Sequence, residues 1–259
     1  MPPETFAPAL ALAMMLLVGL SLGLLGSGGS IITLPVLVYV AGIPVAQAVT
    51  MSLVLVGVTA AFGAWILGHQ RGVHLQAAAV FAVTGVVGAY FGAQITHLVS
   101  EATLLALFGA LMLTVGGRLL MGRADAAPGA DSCRLRRCIA AGLVVGVLTG
   151  FLGVGGGFLI VPALLLFAGT DMRQAVPTSL TVIAANAAGG IVGHLGQTGV
   201  PVAETGVFLL VALAGMLAGS ALSNRLSASV LQRAFAWAIL LMGSAIVVRN
   251  LWLIASRSL

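Results

Sequence analysis

The stretch GLLGSGGSIITLPVL, residues 23–37, sets a cluster of glycines with Ser27, Ser30 and Thr33 in the middle of an otherwise apolar run. GFLGVGGGFLIVPAL, residues 150–164, repeats the interruption. Sliding the chain by 127 positions aligns Gly23 with Gly150 and holds without a gap as far as Gly116 with Gly243. Between 23–53 and 150–180, 14 of 31 positions are identical, which is more than chance supplies. The chain therefore reads as two homologous membrane repeats, 5–122 and 134–252, joined by a cytoplasmic linker at 123–133.

Composition gives the class. Of the 259 residues 60% are hydrophobic and 7% charged, and the mean hydropathy is +1.18. Asp, Glu, Lys and Arg are absent between Glu4 and Arg71, and further charge-free runs cover 72–100, 102–117, 138–170, 174–203, 205–224 and 234–248. About 20 helical residues cross a hydrocarbon core of about 30 Å. The runs lack the alternation of a barrel, and lipid cannot satisfy an exposed backbone, so the spans should be helices. The expected fold is an all-α polytopic membrane protein. The first apolar stretch has no basic leader and follows Glu4, so it is expected as a structural helix rather than a cleaved signal.

The net charge of +5 comes from arginine alone, and Arg118, Arg123, Arg134, Arg136 and Arg137 flank or fill the mid-chain linker. In a chain this apolar that cluster marks a cytoplasmic loop under the positive-inside rule, not a nucleic-acid surface. Cys133 and Cys138 lie there too, where a reducing compartment would keep them as thiols. With no histidine or further cysteine nearby, no metal site is expected; nor does any motif point to a cofactor.

Each half reads as a long apolar helix, the Gly-rich break, a short apolar helix ending at Gly42 or Gly169, and three further spans: about 45–67, 75–97 and 102–121, then 172–195, 202–222 and 229–250. As one helix 10–42 would be about 50 Å long, too long for one crossing, so it should enter and return. Three more crossings make an odd number per half, which inverts one half relative to the other. With the linker inside, inversion also places Arg71, Arg173, Arg225 and Arg233 inside and leaves Arg249 and Arg257 outside.

A glycine break at membrane depth leaves N–H and C=O groups unpaired, so it must face protein or an aqueous cavity. The short helices beginning near Ser30 and Gly157 would aim free N–H groups and a partial positive charge into that cavity, which suits an anion. Candidate substrate ligands in the breaks are Ser27, Gly28, Gly29, Ser30, Gly155, Gly156 and Gly157. A second duplicated patch, QAVTMSL at 47–53 and QAVPTSL at 174–180, adds Gln47, Thr50 and Ser52, and Gln174, Thr178 and Ser179. These are neutral donors where a carboxylate would repel an anion; the other reading is that small and hydroxyl residues simply pack membrane helices.

The duplicated G-x-G-G-[SG] break, the proline that follows, the A-G pair and the Q-A-V-x-x-S-L patch resemble the TauE/SafE family of membrane permeases, over nearly the whole chain. The resemblance implies movement of sulfite, sulfoacetate or a related organosulfonate across the bacterial inner (cytoplasmic) membrane, in a multi-pass protein without a cofactor. Members are usually counted as having about eight spans, which implies that two of the ten apolar elements are re-entrant. Met51 stands where the family more often has the threonine of G-T-S, so if the patch binds substrate its two copies are unequal.

No carboxylate lies deep in a span: Glu101, Asp171 and Glu204 sit at loop ends. His194 is the deepest histidine and a candidate for proton coupling, although a histidine at a helix end also serves as an interfacial residue. Asn186, eight residues earlier on nearly the same helix face, is a candidate cavity-lining donor or a helix–helix hydrogen bond. Arg71, Arg173 and Arg225 either funnel anions or fix topology. Trp65, Trp237 and Trp252 read as interfacial anchors. Gly88, Gly92, Gly215 and Gly219 form small-xxx-small patterns for close helix packing, within one chain or in a homodimer. The expected function is a secondary transporter of a small sulfur-containing oxyanion by alternating access, with a small anion and the lipid bilayer as partners. An anion channel is the nearest alternative. An intramembrane serine enzyme at Ser27 is disfavoured because Val154 replaces it in the second copy and nothing fixes an activating base.

Overall fold

Two departures from helical geometry, at Gly26 and at Pro35, shape the first 44 residues. In the computed structural model, which describes residues 6–27, 29–95, 101–121, 135–152, 157–194 and 201–257, α1 (Phe6–Leu25) stops where Gly26 takes φ +79° and donates its N–H to Leu22 O at 2.8 Å. A left-handed glycine is the commonest way to end a helix, because a Cβ there is disfavoured. The chain then returns as α2 (Gly29–Pro35), which lies back along α1, with Gly29 against Val18 and Leu22. Pro35 lacks an N–H, and the next turn, Val36–Val40, is a π-helix closed by Ala41 N–H to Val36 O at 2.9 Å. The expected return of this segment is thus what the structure has.

The first half continues with α3 (Val45–Arg71), α4 (Leu75–Ile95) and α5 (Glu101–Leu120). The second comprises α6 (Leu135–Leu152), α7 (Gly157–Phe167), α8 (Met172–His194), α9 (Val202–Arg225) and α10 (Ala228–Arg257). Every described element is a helix. α3 runs four residues past the expected end at 67, because His69, Gln70 and Arg71 are compatible with a helix although not with hydrocarbon. It stops at Gly72, whose φ is +77°.

Three described helices are long and apolar enough to cross a membrane, by length and composition: Gln47–Arg71, Val202–Arg225 and Ala228–Ala245. Large apolar side chains also cover the outside, Leu75, Val83, Leu210 and Leu241 among them. Helices apolar all round suit a lipid surround better than water.

Four helix pairs dominate the packing: α1 with α9, α4 with α6, α3 with α8, and α5 with α10. Under the 127-residue offset α1 corresponds to α6 and α4 to α9, so the first two pairs are one packing made twice. The other two each join a helix to its own counterpart. Close approaches at glycines give the directions. Gly19 lies on Ala212 and Gly23 on Met216, so α1 and α9 run parallel; Gly88 on Leu143 and Val147, and Gly142 on Thr84, give the same for α4 and α6. Gly57 lies on Ala187 and Gly63 on Leu180, so α3 and α8 run antiparallel, as do α5 and α10, where Gly109 meets Val247 and Gly116 meets Leu240. Gly88, Gly215 and Gly219 therefore do their packing within one chain, between the halves, letting backbone touch backbone.

Cys138 is buried at the start of α6 and is disulfide-bonded. The free thiol expected there is corrected: that expectation rested on compartment chemistry alone, which says nothing of how near a bonding partner lies. Cys133 and the linker at 123–133 lie outside the described residues.

Candidate functional site

The first turns of the two short helices, α2 and α7, meet. A Cβ placed on Gly157, the first residue of α7, would lie 2.7 Å from Ser30 Oγ and 2.8 Å from Ile183 Cδ1 of α8. Ser30 and Gly157 are equivalent positions of the repeat, so the two short helices touch at equivalent residues. Ser30 Oγ donates to Ser27 O at 2.9 Å and Thr33 Oγ1 to Gly29 O at 2.9 Å, so α2 returns part of its hydroxyl capacity to its own backbone. Ser27 Oγ, fully buried, has no hydrogen-bond partner.

The first break also sits on the second Q-A-V patch. Gly26 packs so closely on α8 that a Cβ would come within 2.7 Å of Ser179 Oγ and 2.9 Å of Val176 Cα. Ser179 Oγ has two carbonyl acceptors in reach, Gly26 O at 3.0 Å and Val176 O at 2.8 Å. Its counterpart Ser52, half-buried, donates to Val49 O at 2.8 Å.

Other candidates are spread more widely. Thr178 is buried in the second turn of α8, where its hydroxyl donates to Gln174 O at 2.7 Å and accepts His74 N–H at 3.0 Å; it holds the turn between α3 and α4. Gln174 is exposed on the first turn of α8, its N–H donating to Asp171 Oδ1 at 2.8 Å as at a capped helix start. Gln47 is half-buried and Thr50 buried on α3. Asn186 is half-buried on α8; its Oδ1 is enclosed and has no partner, and its Nδ2 faces Gly85 of α4. Gly28, Gly155 and Gly156 lie outside the described residues, and of His194 only the backbone, closing α8, is described.

Thr59 is a residue that the motif reading passed over. It is fully buried on α3 with Oγ1 unpartnered, and the 127-residue offset places it at the position of Asn186. It lies outside both duplicated motifs, and the offset itself was the signal that could have found it.

The site's electrostatics are uniform. The buried polar residues among those described are all serines and threonines. Charge gathers instead at the ends of helices. Where α3 and α9 finish, Arg71 Nε and Nη2 donate to Asn224 Oδ1 at 3.2 and 2.6 Å, and Asn224 Nδ2 donates to Gln70 Oε1 at 2.7 Å. Arg173 Nη2 reaches Leu226 O, just past the end of α9, at 3.5 Å. Among the described residues no group of three or more His, Cys, Asp or Glu could hold a metal ion. What the centre offers is neutral hydroxyls, an amide and the backbone of two interrupted helices: groups that can bind and release a small polar solute.

Comparison with known proteins agrees with this reading. The family described as sulfite exporter TauE/SafE matches residues 11–246. Two relatives from Xylella fastidiosa, each described as a probable membrane transporter protein, are similar. One is 40% identical over 174 residues, 64% of this chain and 66% of the relative; the other is 35% identical over 247 residues, 90% and 92%. A probable membrane transporter protein of Bacillus subtilis is 25% identical over 231 residues, 87% of this chain and 94% of that one. No solved structure matches. The chain belongs to the TauE/SafE family, and the names of its relatives mark a membrane transporter rather than an enzyme.

Proposed function

We propose that this TauE/SafE family member is a secondary transporter that moves a small sulfur-containing oxyanion, sulfite, sulfoacetate or a related organosulfonate, across the bacterial cytoplasmic membrane by alternating access. The observation that carries the reading is the meeting of Gly157 with Ser30, equivalent residues of the two interrupted segments. Interrupted helices that meet at mid-depth are a recurrent transporter design.

The two repeats are inverted in this reading. The antiparallel course of α3 against α8 and of α5 against α10, each a helix beside its own counterpart, supports inversion. Two inverted copies can exchange conformations, and the exchange opens the central site first to one side and then to the other. Solute is held between the breaks, by Ser27, Ser30 and Gly157 with Gly28, Gly29, Gly155 and Gly156, and the facing patches, by Gln47, Thr50 and Ser52 and by Gln174, Thr178 and Ser179. Asn186 closes the site along α8.

Flux of radiolabelled sulfite, sulfoacetate, sulfate and chloride into proteoliposomes at set pH and voltage tests this. Saturable sulfite or sulfoacetate flux is expected, reduced in Ser179→Ala and in Gly156→Leu with insertion intact. Currents exceeding carrier turnover would replace the carrier with a channel, and absence of flux for every sulfur oxyanion would sink the proposal.

A further inference from the structure

Threonines in these helices have a habit. Thr33, Thr84, Thr114, Thr178, Thr181 and Thr205 each donate to the carbonyl four residues back, at 2.6 to 2.9 Å. Thr59 does not: its Oγ1 is buried without a partner although the side chain is 0% exposed. A buried hydroxyl with no hydrogen bond is destabilising, and an acceptor lies one turn away on its own helix. At the equivalent position of the other repeat Asn186 has the same deficit, an enclosed Oδ1 with no partner. Two unrelated side chains at one repeat position, both left unsatisfied, point to a requirement that the protein alone does not meet.

The pair is level. Gly57 lies against Ala187 and Gly63 against Leu180 on the antiparallel helices, which puts Thr59 and Asn186 at the same depth, midway along α3 and α8. Beside Asn186, α4 presents Gly85, so that a Cβ there would still be 3.8 Å from the amide nitrogen. Resting on the transporter reading above, we infer that Thr59 and Asn186 are paired substrate ligands for an oxyanion that keeps one acidic proton, and that this proton crosses the membrane on the solute rather than on a side chain.

Two features of the chemistry select that class. First, a threonine hydroxyl and a carboxamide each both donate and accept. A fully deprotonated oxyanion only accepts, and would leave the amide oxygen unmatched; an oxyanion with a remaining O–H answers both. Second, among the described residues no charged side chain lies midway along these helices to offset a dianion. The charged and titratable groups on the surrounding elements lie towards helix ends: His69 and Arg71 on α3, His74 just before α4, Asp171, Arg173 and His194 on or just before α8, Glu204 and Arg225 on α9, Arg136 and Arg137 on α6. His194, the nearest of them along α8, is eight residues or about 12 Å beyond Asn186. The cost of removing an ion from water grows as the square of its charge, so a dianion is about fourfold worse than a monoanion in a site of neutral donors. No bond is made or broken in the membrane: the singly protonated anion binds on one side, and after release on the other it redistributes its proton to the solution.

The test uses the full chain in proteoliposomes with a lumenal pH dye, protein-free vesicles supplying the leak. Three probes separate charge from protonation: sulfite, whose remaining proton dissociates near neutral pH; methanesulfonate, singly charged with no O–H; and sulfate, a dianion throughout. At constant total sulfite, uptake should fall from mildly acidic to mildly alkaline pH in step with the hydrogen sulfite fraction, and should acidify a mildly alkaline lumen. Sulfate should not be carried. Thr59→Val and Asn186→Leu should each lower sulfite flux about tenfold, the equivalent of one hydrogen bond of about 1.4 kcal/mol, while Thr59→Ser retains most of it and methanesulfonate flux changes less. Sulfite flux that is flat or rising with pH, sulfate carried as well as sulfite, or full sulfite flux in Thr59→Val would each overturn the inference while leaving a transporter in place. Absence of flux for any sulfur oxyanion at any pH would remove the transporter reading itself. The wild-type pH profile decides the matter even if a variant fails to fold.

Discussion

Replacing Gly26 by alanine separates two costs that glycine usually hides together. Gly26 has φ +79° and would place a Cβ 2.7 Å from Ser179 Oγ, 2.9 Å from Val176 Cα and 3.0 Å from Val176 O. Gly42 has φ +70° with nothing within 4 Å. The left-handed conformation costs an L-residue about 1–2 kcal/mol, so Gly42→Ala should lose about that and no more. Gly26→Ala adds an overpacking term of about 1–3 kcal/mol, because two of the three atoms it meets belong to backbone and cannot swing aside. Its total is about 2–5 kcal/mol. Gly117, on α5 with nothing within 4 Å and no positive φ, is the control: alanine there should stabilise by about 0.5–1 kcal/mol through helix propensity. Thermal unfolding midpoints of the three variants in one detergent give the order Gly117→Ala, wild type, Gly42→Ala, Gly26→Ala. Adding Ser179→Ala to Gly26→Ala should recover part of the loss, since one of the three clashes goes. Equal losses at Gly26 and Gly42 would refute the seating of the first break on α8.

Gly219→Leu, whose side chain would run into the backbone of Leu20, should force α1 and α9 apart and abolish the monodisperse peak in size-exclusion chromatography, whereas Leu217→Ala on the exposed side of α9 should leave it. Asn224→Asp should raise the unfolding midpoint, because Asn224 Oδ1 already takes two donors from Arg71 and a carboxylate would take them with charge; the gain should shrink as salt is added, since this network is exposed.

How much of this was readable beforehand differs between backbone and side chains. The 127-residue repeat, the helix ends near Gly42 and Gly169 and the return of residues 23–42 follow from glycine, proline and hydropathy, which act over a few residues. The packing of Gly88, Gly215 and Gly219 was readable as close contact, but the partner was not: choosing between another helix and a second chain needs the tertiary arrangement. Side-chain roles were least legible. Thr178 and Ser179 are neighbours in one motif, yet one faces the turn before α4 and the other the first break, because adjacent helical residues point about 100° apart. Thr59 belongs to no motif, and its lack of a partner is a property of its surroundings rather than of its identity.

Met51 was the conspicuous departure from the family pattern, and its explanation lies across the molecule. Thr178, at the equivalent position, accepts the backbone N–H of His74. The counterpart of His74 under the same offset is Pro201, which has no N–H to give. Donor and acceptor are thus missing together: at the equivalent place the first half supplies Met51 and the second Pro201, and Met51 is 0% exposed. The two patches differ because of how each α3-type helix meets the start of the opposing α4-type helix, and an unequal substrate site is not needed to account for it. Met51→Thr alone should therefore destabilise, by about 2–3 kcal/mol of lost apolar burial, without changing which anions are carried. Adding Pro201→Ala supplies the missing N–H, and the pair should be coupled favourably by about 1 kcal/mol relative to the sum of the single changes. Additive effects in that cycle, or a changed anion selectivity in Met51→Thr, would return Met51 to the substrate site.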